Sequence, residues 1–347
     1  MTEVVQIEIG GKAWRFWSDF EINTGLDSYS TVAFTAPHEP QRREFREAFR
    51  PFAYTPVTVG LAGGEKLFNG TMLPPAPTFD EESSRVAVQC YSKPGVLLDS
   101  DAPASLLPFE SRGLTIKQIA DRLCQPFGIA VVMADDAQPG APFKRVKQKL
   151  DGKVQDYLVS LAQQRGLILS DNGRGNLVIL RSRPVGQPVA ALEEGAAPVT
   201  SVSSTFNASD YYSEITGVTS QKMYATGARV TERNPRPMTG IRCQTVVLDD
   251  TEKADAPAAV RARMGRMFGN AFSVSVEVPT WRDPAGRLWR PNTTIKLKAP
   301  SAMVYAPYNF IVRTVSMRNN NNAETATLGL VMPGAFSGET PARFPWD

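Results

Sequence analysis

The chain has few side chains in patterns that chemistry requires, and its one histidine is the first of them. His38 lies between Pro37 and Pro40. It could serve as the base of a catalytic triad or dyad, but no nucleophile motif such as GxSxG lies near it. A histidine in a proline-flanked loop is usually just exposed, so His38 does not indicate an active site.

Paired carboxylates are the second candidate, because glycoside hydrolysis needs two acids that face each other across a cleft. Neighbouring pairs occur in four predicted turns: Glu81-Glu82, Asp135-Asp136, Glu193-Glu194 and Asp249-Asp250. Adjacent acids in a loop are ordinarily solvated surface groups. We therefore expect no catalytic pair among them.

Metal and cofactor sites are not indicated either. Cys90, Cys124 and Cys243 lie far apart without CxxC spacing, which indicates free thiols in a reducing compartment. One histidine cannot supply a multi-histidine metal site. Gly173 and Gly175 stand between two predicted strands instead of opening a helix, so they predict a hairpin turn and not a phosphate site. We expect no cofactor, no metal, no small-molecule substrate and no enzymatic activity.

Basic residues are not concentrated enough to predict a nucleic-acid-binding face. The net charge is only +3 over 347 residues. The arginine cluster 42–50 interleaves with glutamates, which predicts a solvated helix face or one side of a subunit contact.

Five tryptophans are the remaining candidates: Trp14, Trp17, Trp281, Trp289 and Trp346. They could stack on sugars, which would suit a receptor-binding module, but tryptophans at strand ends and in hairpins are more often core or interface anchors. Trp346 differs because a short polar terminus needs no tryptophan. We predict that the tail, residues 341–347, docks against a neighbouring subunit or partner, and that truncation after Thr340 leaves the fold intact but weakens assembly.

The elements that must hold these residues are mostly strands. A chain of this length is too long for one ordinary core and predicts two or three domains. Its first ten residues alternate and carry acids, which predicts a first strand and not a signal peptide. The longest apolar runs are far shorter than the roughly 18 residues of a membrane-spanning helix.

The most informative stretch is 273–331, which reads as four antiparallel strands over 273–279, 293–299, 309–316 and 324–331. Between the first two lies a turn flanked by Trp281 and Trp289. Residues 283–286 fit a type I turn. Asp283 at the first position can accept a hydrogen bond from a backbone N–H, Pro284 at the second presets φ, and Gly286 is at the fourth.

The remaining sequence divides into regions of different character. Residues 1–95 predict a small β-barrel with a short helix inserted over 40–50, and one of its strands is expected over 13–22. Residues 96–185 predict a small α+β module with a helix capped by Thr115 and Gln118, a second helix over 153–165 and a β-hairpin. This module would have its own core.

A linker over 186–198 leads to the last region, 199–340, which predicts a second β-barrel with one inserted helix. Asp255 is the expected N-cap of that helix and Gly269 its stop. The fold class is therefore mainly β with an α+β insertion: two small antiparallel β-barrel domains plus a small helix-hairpin module. The two β-rich regions share a plan, which suggests an internal duplication without establishing one.

The run from Val278 to Asn292, with Trp281, Gly286 and Trp289, is followed at a distance by Leu328 to Phe336. These segments resemble the C-terminal part of the baseplate hub proteins of contractile-tailed, Mu-like phages, the late-control-protein-D type, which are related to the hub part of type VI secretion spike proteins. The resemblance implies two related barrels per chain, so that a homotrimer presents six barrels as a pseudo-hexameric ring.

The resemblance implies a structural role in the virion, made and assembled in the host bacterial cytoplasm. The ring would adapt the six-fold tail tube to the three-fold central spike and let the genome pass during injection without sequence-specific DNA binding. Its partners would be the spike protein, the tail-tube end, and the tape-measure and baseplate wedge proteins. Trp281, Asp283, Gly286, Trp289 and Trp346 would be structural or interface residues.

Three alternatives stay open at this point. The chain could be the hub of a phage-like contractile secretion or bacteriocin particle, a tail-associated carbohydrate-binding protein, or a tail-associated cell-wall hydrolase. Glycan binding that depends on Trp281 or Trp289 would favour the second, and muralytic activity the third.

Overall fold

The computed structural model describes residues 3–81, 83–182, 185–219, 229–236, 240–248, 256–320, 323–336, 338–341 and 343–347. Strands dominate these residues, which confirms the mainly β fold class. Within the described ranges, no helix combines the length and the apolarity needed to cross a membrane.

The N-terminal region contains eight described strands and one short helix, in which the predicted amphipathic segment buries Phe45. These elements are β1 (Val5–Ile9), β2 (Lys12–Trp14), β3 (Ser18–Gly25), β4 (Thr31–Pro37), α1 (Arg43–Ala48), β5 (Pro56–Leu61), β6 (Lys66–Met72), β7 (Ala76–Phe79) and β8 (Ser84–Ser92).

The central region is the α+β part of the chain. Its elements are α2 (Val96–Asp99), β9 (Glu110–Ser111), α3 (Ile116–Cys124), β10 (Val131–Met133), β11 (Val146–Lys147), α4 (Val154–Gln164), β12 (Ile168–Asp171) and β13 (Leu177–Leu180). The capping box at α3 is confirmed: Thr115 Oγ1 accepts from Gln118 N at 3.4 Å, and Gln118 Oε1 accepts from Thr115 N at 2.9 Å.

The C-terminal region is again rich in strands. Its elements are β14 (Ala190–Glu193), β15 (Ser201–Phe206), β16 (Glu214–Thr219), β17 (Arg229–Arg233), β18 (Cys243–Leu248), α5 (Ala256–Ala271), β19 (Phe272–Val278), β20 (Thr294–Ala299), β21 (Val304–Asn320) and β22 (Ala323–Val331).

One 14-stranded sheet joins the two ends of the chain. Its main path runs β15-β19-β22-β21-β3-β4-β8-β6-β5-β1-β2, and the junction is the antiparallel pairing of β21 with β3, in which Thr314 lies opposite Gly25 and Asn319 opposite Phe20. The strands of both β-rich regions are thus continuous through backbone hydrogen bonds. The division into two barrel domains at the stated limits stays a prediction.

The cores follow the same arrangement. A large apolar cluster runs through both β-rich regions and includes Phe20, Trp281 and Phe310. The central region buries a separate cluster around Ile116, Leu158 and Phe143. A small sheet of β17, β16 and β18 packs on α5, where Gly217 lets Val260 approach closely.

Three sequence-based expectations for the elements need correction. The strand expected over 13–22 is two strands, because β2 pairs with β1 whereas β3 pairs with β4 and β21. Gly269 does not end α5, which continues to Ala271; the glycine instead allows close packing, since a Cβ there would lie 2.6 Å from that of Ala335. The expected N-cap Asp255 lies outside the described residues.

The third correction concerns the segment 186–198, which is more than a connection. It contributes β14, which pairs in parallel with β20, and it buries Ala190 and Leu192 in the large core. The signal in the sequence was a short apolar run between Pro188 and Glu193.

Candidate functional site

The predicted turn between β19 and β20 is present. Gly286 N donates to Asp283 O at 2.9 Å, and Gly286 has φ of 78°. The Asp283 carboxylate accepts from the backbone N–H groups of Ala285 (2.9 Å) and Arg287 (3.0 Å) and from Arg287 Nε (2.9 Å). Burial opposes ionisation, but these donors hold the pKa of Asp283 below its usual value. The carboxylate therefore stabilises the turn through these hydrogen bonds and is not available for catalysis.

The two tryptophans that flank this turn are in the core. Trp281 has no exposed surface, and its Nε1 donates to the carbonyls of Arg318 and Thr325, both at 3.0 Å. Trp289 is 2% exposed, and its Nε1 donates to Thr280 O at 3.0 Å. Neither indole offers a free face on which a sugar could stack. Residues 281–289 are called the tryptophan turn below.

The tryptophan turn connects the two β-rich regions. The Trp281 ring lies 6.1 Å from that of Phe20 on β3. Arg282 forms ion pairs with Glu3 and with Glu65, the latter at 2.6 Å, and these hydrogen bonds raise its pKa. Both glutamates belong to the N-terminal region, more than 200 residues away in sequence, so Arg282 could not be recognised from the local pattern.

The tail packs on its own chain at the C-terminal edge of the large sheet. The Trp346 ring stacks on Phe344 at 4.6 Å and meets Phe206 at 5.4 Å and Phe272 at 5.0 Å. Phe344 is buried in the large core. Truncation after Thr340 therefore removes internal contacts as well, and the predicted docking of Trp346 on a neighbour stays a prediction.

Exposed aromatic surface surrounds Trp346. Phe206 is 48% exposed and Tyr305 is 54% exposed, and Tyr305 N donates to Pro345 O at 3.2 Å. We call Phe206, Tyr305 and the half-buried Trp346 the tail patch. It lies beside β15, which has a strand partner on one side only among the described strands.

The other chemical candidates have local structural partners. His38 Nδ1 lies 3.2 Å from Ser84 Oγ, and its ring packs against Phe45. Glu193 pairs with Lys298 at 2.7 Å, and Glu194 accepts from Ser301 N at 2.9 Å. Glu82, Asp249 and Asp250 lie outside the described residues.

The cysteines are free, as predicted. Burial raises the pKa of Cys90 and of Cys124 to about 12, so both are inert thiols at neutral pH, whereas Cys243 is exposed. In the part of the chain that the structure describes, no three His, Cys, Asp or Glu side chains converge as metal ligands would.

The glycine and arginine motifs are structural too. Gly173 lies in the turn between β12 and β13 and packs so closely on the N-terminal region that a Cβ would lie 2.2 Å from Lys66 O. On α1, Arg43 pairs with Glu47 at 2.7 Å, and just before it Arg42 pairs with Glu39 at 3.2 Å, so these arginines belong to a solvated face.

Comparison with known sequences confirms the predicted resemblance. Residues 94–181 match the family described as "Baseplate hub protein gp44-like, second domain". The chain is also similar to the baseplate hub protein gp44 of Escherichia phage Mu, with 21% identity over 319 residues that cover 86% of this chain and 80% of the phage protein. These relatives are structural proteins of the baseplate.

Comparison with solved structures gives the same fold. The 43 kDa tail protein of prophage MuSo2 from Shewanella oneidensis superposes with a TM-score of 0.79 and 22% identity, covering 96% of this chain and 99% of that one. A chain of the Francisella PdpA-VgrG complex superposes with a TM-score of 0.59 and 8% identity, covering 99% of this chain and 59% of that one. The fold therefore occurs both in tail proteins and in a VgrG-containing complex.

Proposed function

From its similarity to baseplate hub proteins of phage tails, we propose that this chain works as a homotrimeric ring that adapts the six-fold tail tube to the three-fold central spike. Its role in the virion is structural.

The observation that carries the proposal is the pairing of β3 with β21. It fixes two β-rich regions side by side in one chain, and the tryptophan turn ties them again through Arg282, Glu3 and Glu65. Three such chains around a three-fold axis would place six β-rich regions in one ring. This role requires a rigid junction, because movement between the two β-rich regions of a chain would make the spacing of the six regions around the ring unequal.

The partners follow from the position of such a ring. The tail-tube end would bind one face and the spike protein the other, with tape-measure and wedge proteins around them. The genome would cross the bore without sequence-specific binding, which suits a net charge of only +3.

The tail patch is the proposed contact between neighbouring chains. Its aromatic residues are exposed at an edge strand, and exposed aromatic groups beside an unpaired edge are typical of surfaces that associate. Tyr305→Ala should lower the trimer fraction while the unfolding temperature changes little, because Tyr305 is 54% exposed and its hydrogen bond to the tail uses the backbone N–H. Phe79→Ala is the matched control, because Phe79 is 82% exposed and lies in β7, in the other β-rich region. Equal trimer fractions in the two variants would contradict a role for the tail patch.

The experiment that tests the ring is light scattering coupled to size exclusion, across micromolar concentrations. One chain has a mass of 37.9 kDa, so a closed trimer gives about 114 kDa. A trimer supports the proposal. A chain that stays monomeric, both alone and with the purified spike protein, would contradict it.

A second role, the hub of a contractile secretion or bacteriocin particle, is favoured by the fold shared with the PdpA-VgrG complex. It predicts the same trimer. The two roles differ in whether particles that carry the chain contain DNA, which nuclease-treated, purified particles would show.

A further inference from the structure

A groove of about 640 Å³ separates the central region from the C-terminal region. One wall is formed by α4 and the segment that leads into it, residues 147–164. The other wall is formed by the end of β18 and by α5, with Val246, Leu248 and Arg263 among its residues. Its volume falls in the usual range of ligand-binding pockets. We call it the α4–α5 groove.

The described lining of the groove contains more basic than acidic residues. Lys147, Lys149, Lys153, Arg263 and Arg266 line it, and Asp156 is the one carboxylate among the described lining residues. Lys153 already pairs with Asp101 at 3.0 Å, so Lys147 and Arg263 are the cations best placed for an anionic ligand. This bias is local, because the whole chain has a net charge of only +3. A basic groove concentrates anionic partners by electrostatic attraction.

The side-chain hydrogen bonds of its two arginines go to neutral amides. Arg263 Nε donates to the neutral amide of Gln244 at 3.2 Å, and Arg266 Nη2 donates to that of Gln163 at 3.0 Å. Burial, and then the charge of Arg263, lower the pKa of Arg266 to about 10, although the carboxylate of Asp27 opposes the shift. An incoming carboxylate would relieve this unfavourable environment.

Gln164 points to a ligand independently of charge. Its side chain lines the groove and is only 4% exposed, yet neither its amide nitrogen nor its oxygen has a hydrogen-bond partner among the described residues. Buried amides without partners are rare in native proteins because each costs free energy. A bound backbone amide could donate to Gln164 Oε1 and accept from Nε2 at once.

The groove also has an apolar wall. Val246, Val247 and Leu248 are consecutive in β18, and all three line it. Alternate residues of a strand face opposite sides, so the groove meets β18 at its edge or end. Val247 is 68% exposed, and Val159 of α4 also lines the groove. A ligand here would bury aliphatic side chains as well as pair with cations.

We propose that the α4–α5 groove binds an acidic peptide segment with interspersed aliphatic side chains, contributed by another protein. Basic side chains would pair with its carboxylates, Gln164 with its backbone, and the valines of β18 with its aliphatic groups. Single-stranded nucleic acid fits less well, because such sites stack bases on several aromatic rings and Tyr157 is the one aromatic residue among those described in the lining.

The inference rests on the proposed function only for the source of the peptide, which would be a protein bound to the hub. The groove lies within one chain, so peptide binding does not require the trimer. A chain that binds the peptide but stays monomeric, both alone and with the purified spike protein, would contradict the ring and leave the groove proposal intact, and a trimer that does not bind the peptide would do the reverse.

The test uses the full chain and a fluorescein-labelled peptide of about ten residues that alternates glutamate and valine. Fluorescence anisotropy should show saturable binding that weakens with salt. Arg263→Glu and Lys147→Glu should each weaken it about tenfold or more. Lys296→Glu is the matched control, because Lys296 is also exposed on a strand but lies on β20, away from the groove, and it should leave binding unchanged.

A second variant separates ligand recognition from folding. Gln164→Leu should bind the peptide several-fold more weakly although its unfolding temperature does not fall. The proposal is overturned if the acidic peptide does not bind, if a lysine-valine peptide binds equally well, if Arg263→Glu binds like Lys296→Glu, or if a labelled single-stranded oligonucleotide binds more tightly at the same salt concentration.

Discussion

The tryptophan turn and the α4–α5 groove both join distant parts of the chain, but they differ in whether their buried polar groups have hydrogen-bond partners. In the turn, Asp283 and the indole N–H groups of Trp281 and Trp289 all have partners. In the groove, Gln164 is buried without a partner among the described residues, and the arginines donate their side-chain hydrogen bonds to neutral amides. Where every buried polar group has a hydrogen-bond partner, the contact stabilises the fold. Where buried polar groups lack partners, a ligand that supplies them gains binding free energy.

Trp281→Ala should produce the largest loss of stability. The substitution opens a cavity in the large core and leaves the carbonyls of Arg318 and Thr325 without their donor, so we expect a loss of about 3–5 kcal/mol. Denaturant unfolding followed by tryptophan fluorescence and circular dichroism measures it. Trp281→Phe should fall between this variant and the native chain, and a loss below about 1 kcal/mol in Trp281→Ala would contradict the role of the turn as a joint.

Asp283→Asn should cost about 1–2 kcal/mol at neutral pH, because an amide replaces a charge-assisted acceptor of three N–H donors. The folded pKa of Asp283 is lowered, so its contribution is present above the unfolded pKa of about 3.9 and is lost as the pH falls through the folded value. The difference between variant and native chain should therefore shrink on acidification. A difference that stays constant from pH 7 to pH 2.5 would show that the charge is not involved.

Gly286→Ala should cost about 1 kcal/mol through backbone strain alone. Its φ is 78°, and no atom lies within 4 Å of the position that a Cβ would take. Gly286→Asn should cost less, because asparagine tolerates this conformation. Gly63→Ala is the control: its φ is not left-handed and its surroundings are equally open, so unfolding should be unchanged or slightly harder. Equal effects at Gly63 and Gly286 would exclude strain as the cause.

Gln164→Leu should have the smallest effect on folding, with stability unchanged or raised by up to about 1 kcal/mol, because an unpaired buried amide is replaced by an apolar group of similar size. Gln163→Leu is the contrasting variant, since it removes the acceptor of Arg266 and should destabilise the chain. If Gln164→Leu destabilised the fold as much as Gln163→Leu, the amide of Gln164 would be a structural group and the contrast with the turn would disappear.

The sequence predicted the turn better than its surroundings. The Asp283, Pro284 and Gly286 pattern obeys a rule confined to four residues, and the structure confirms its hydrogen bonds. The residues of the N-terminal region that the turn contacts could not be predicted from so local a pattern. Trp281 meets Phe20, and Arg282 meets Glu3, because the fold brings together residues more than 250 positions apart.

The groove was missed for a related reason. It forms between segments about 100 residues apart, and a glutamine near the end of a helix is ordinarily taken to be exposed. One signal was available: Gln164 follows Leu161 by three residues, so the two lie on the same face of α4. A polar residue on the buried face of a helix needs a hydrogen-bond partner from another part of the chain or from a ligand.

The pairing of β3 with β21 also sets the order in which the protein can be completed. Residues 18–25 leave the ribosome early, but their neighbours 314–319 are among the last to be synthesised. At a synthesis rate of about 5–20 residues per second, the edge of β3 that pairs with β21 stays unpaired for on the order of 15–60 s. During that time it can pair with the wrong strand, including the same strand of another nascent chain. Synthesis rate and chaperone supply should therefore limit the yield of this chain more than its final stability does.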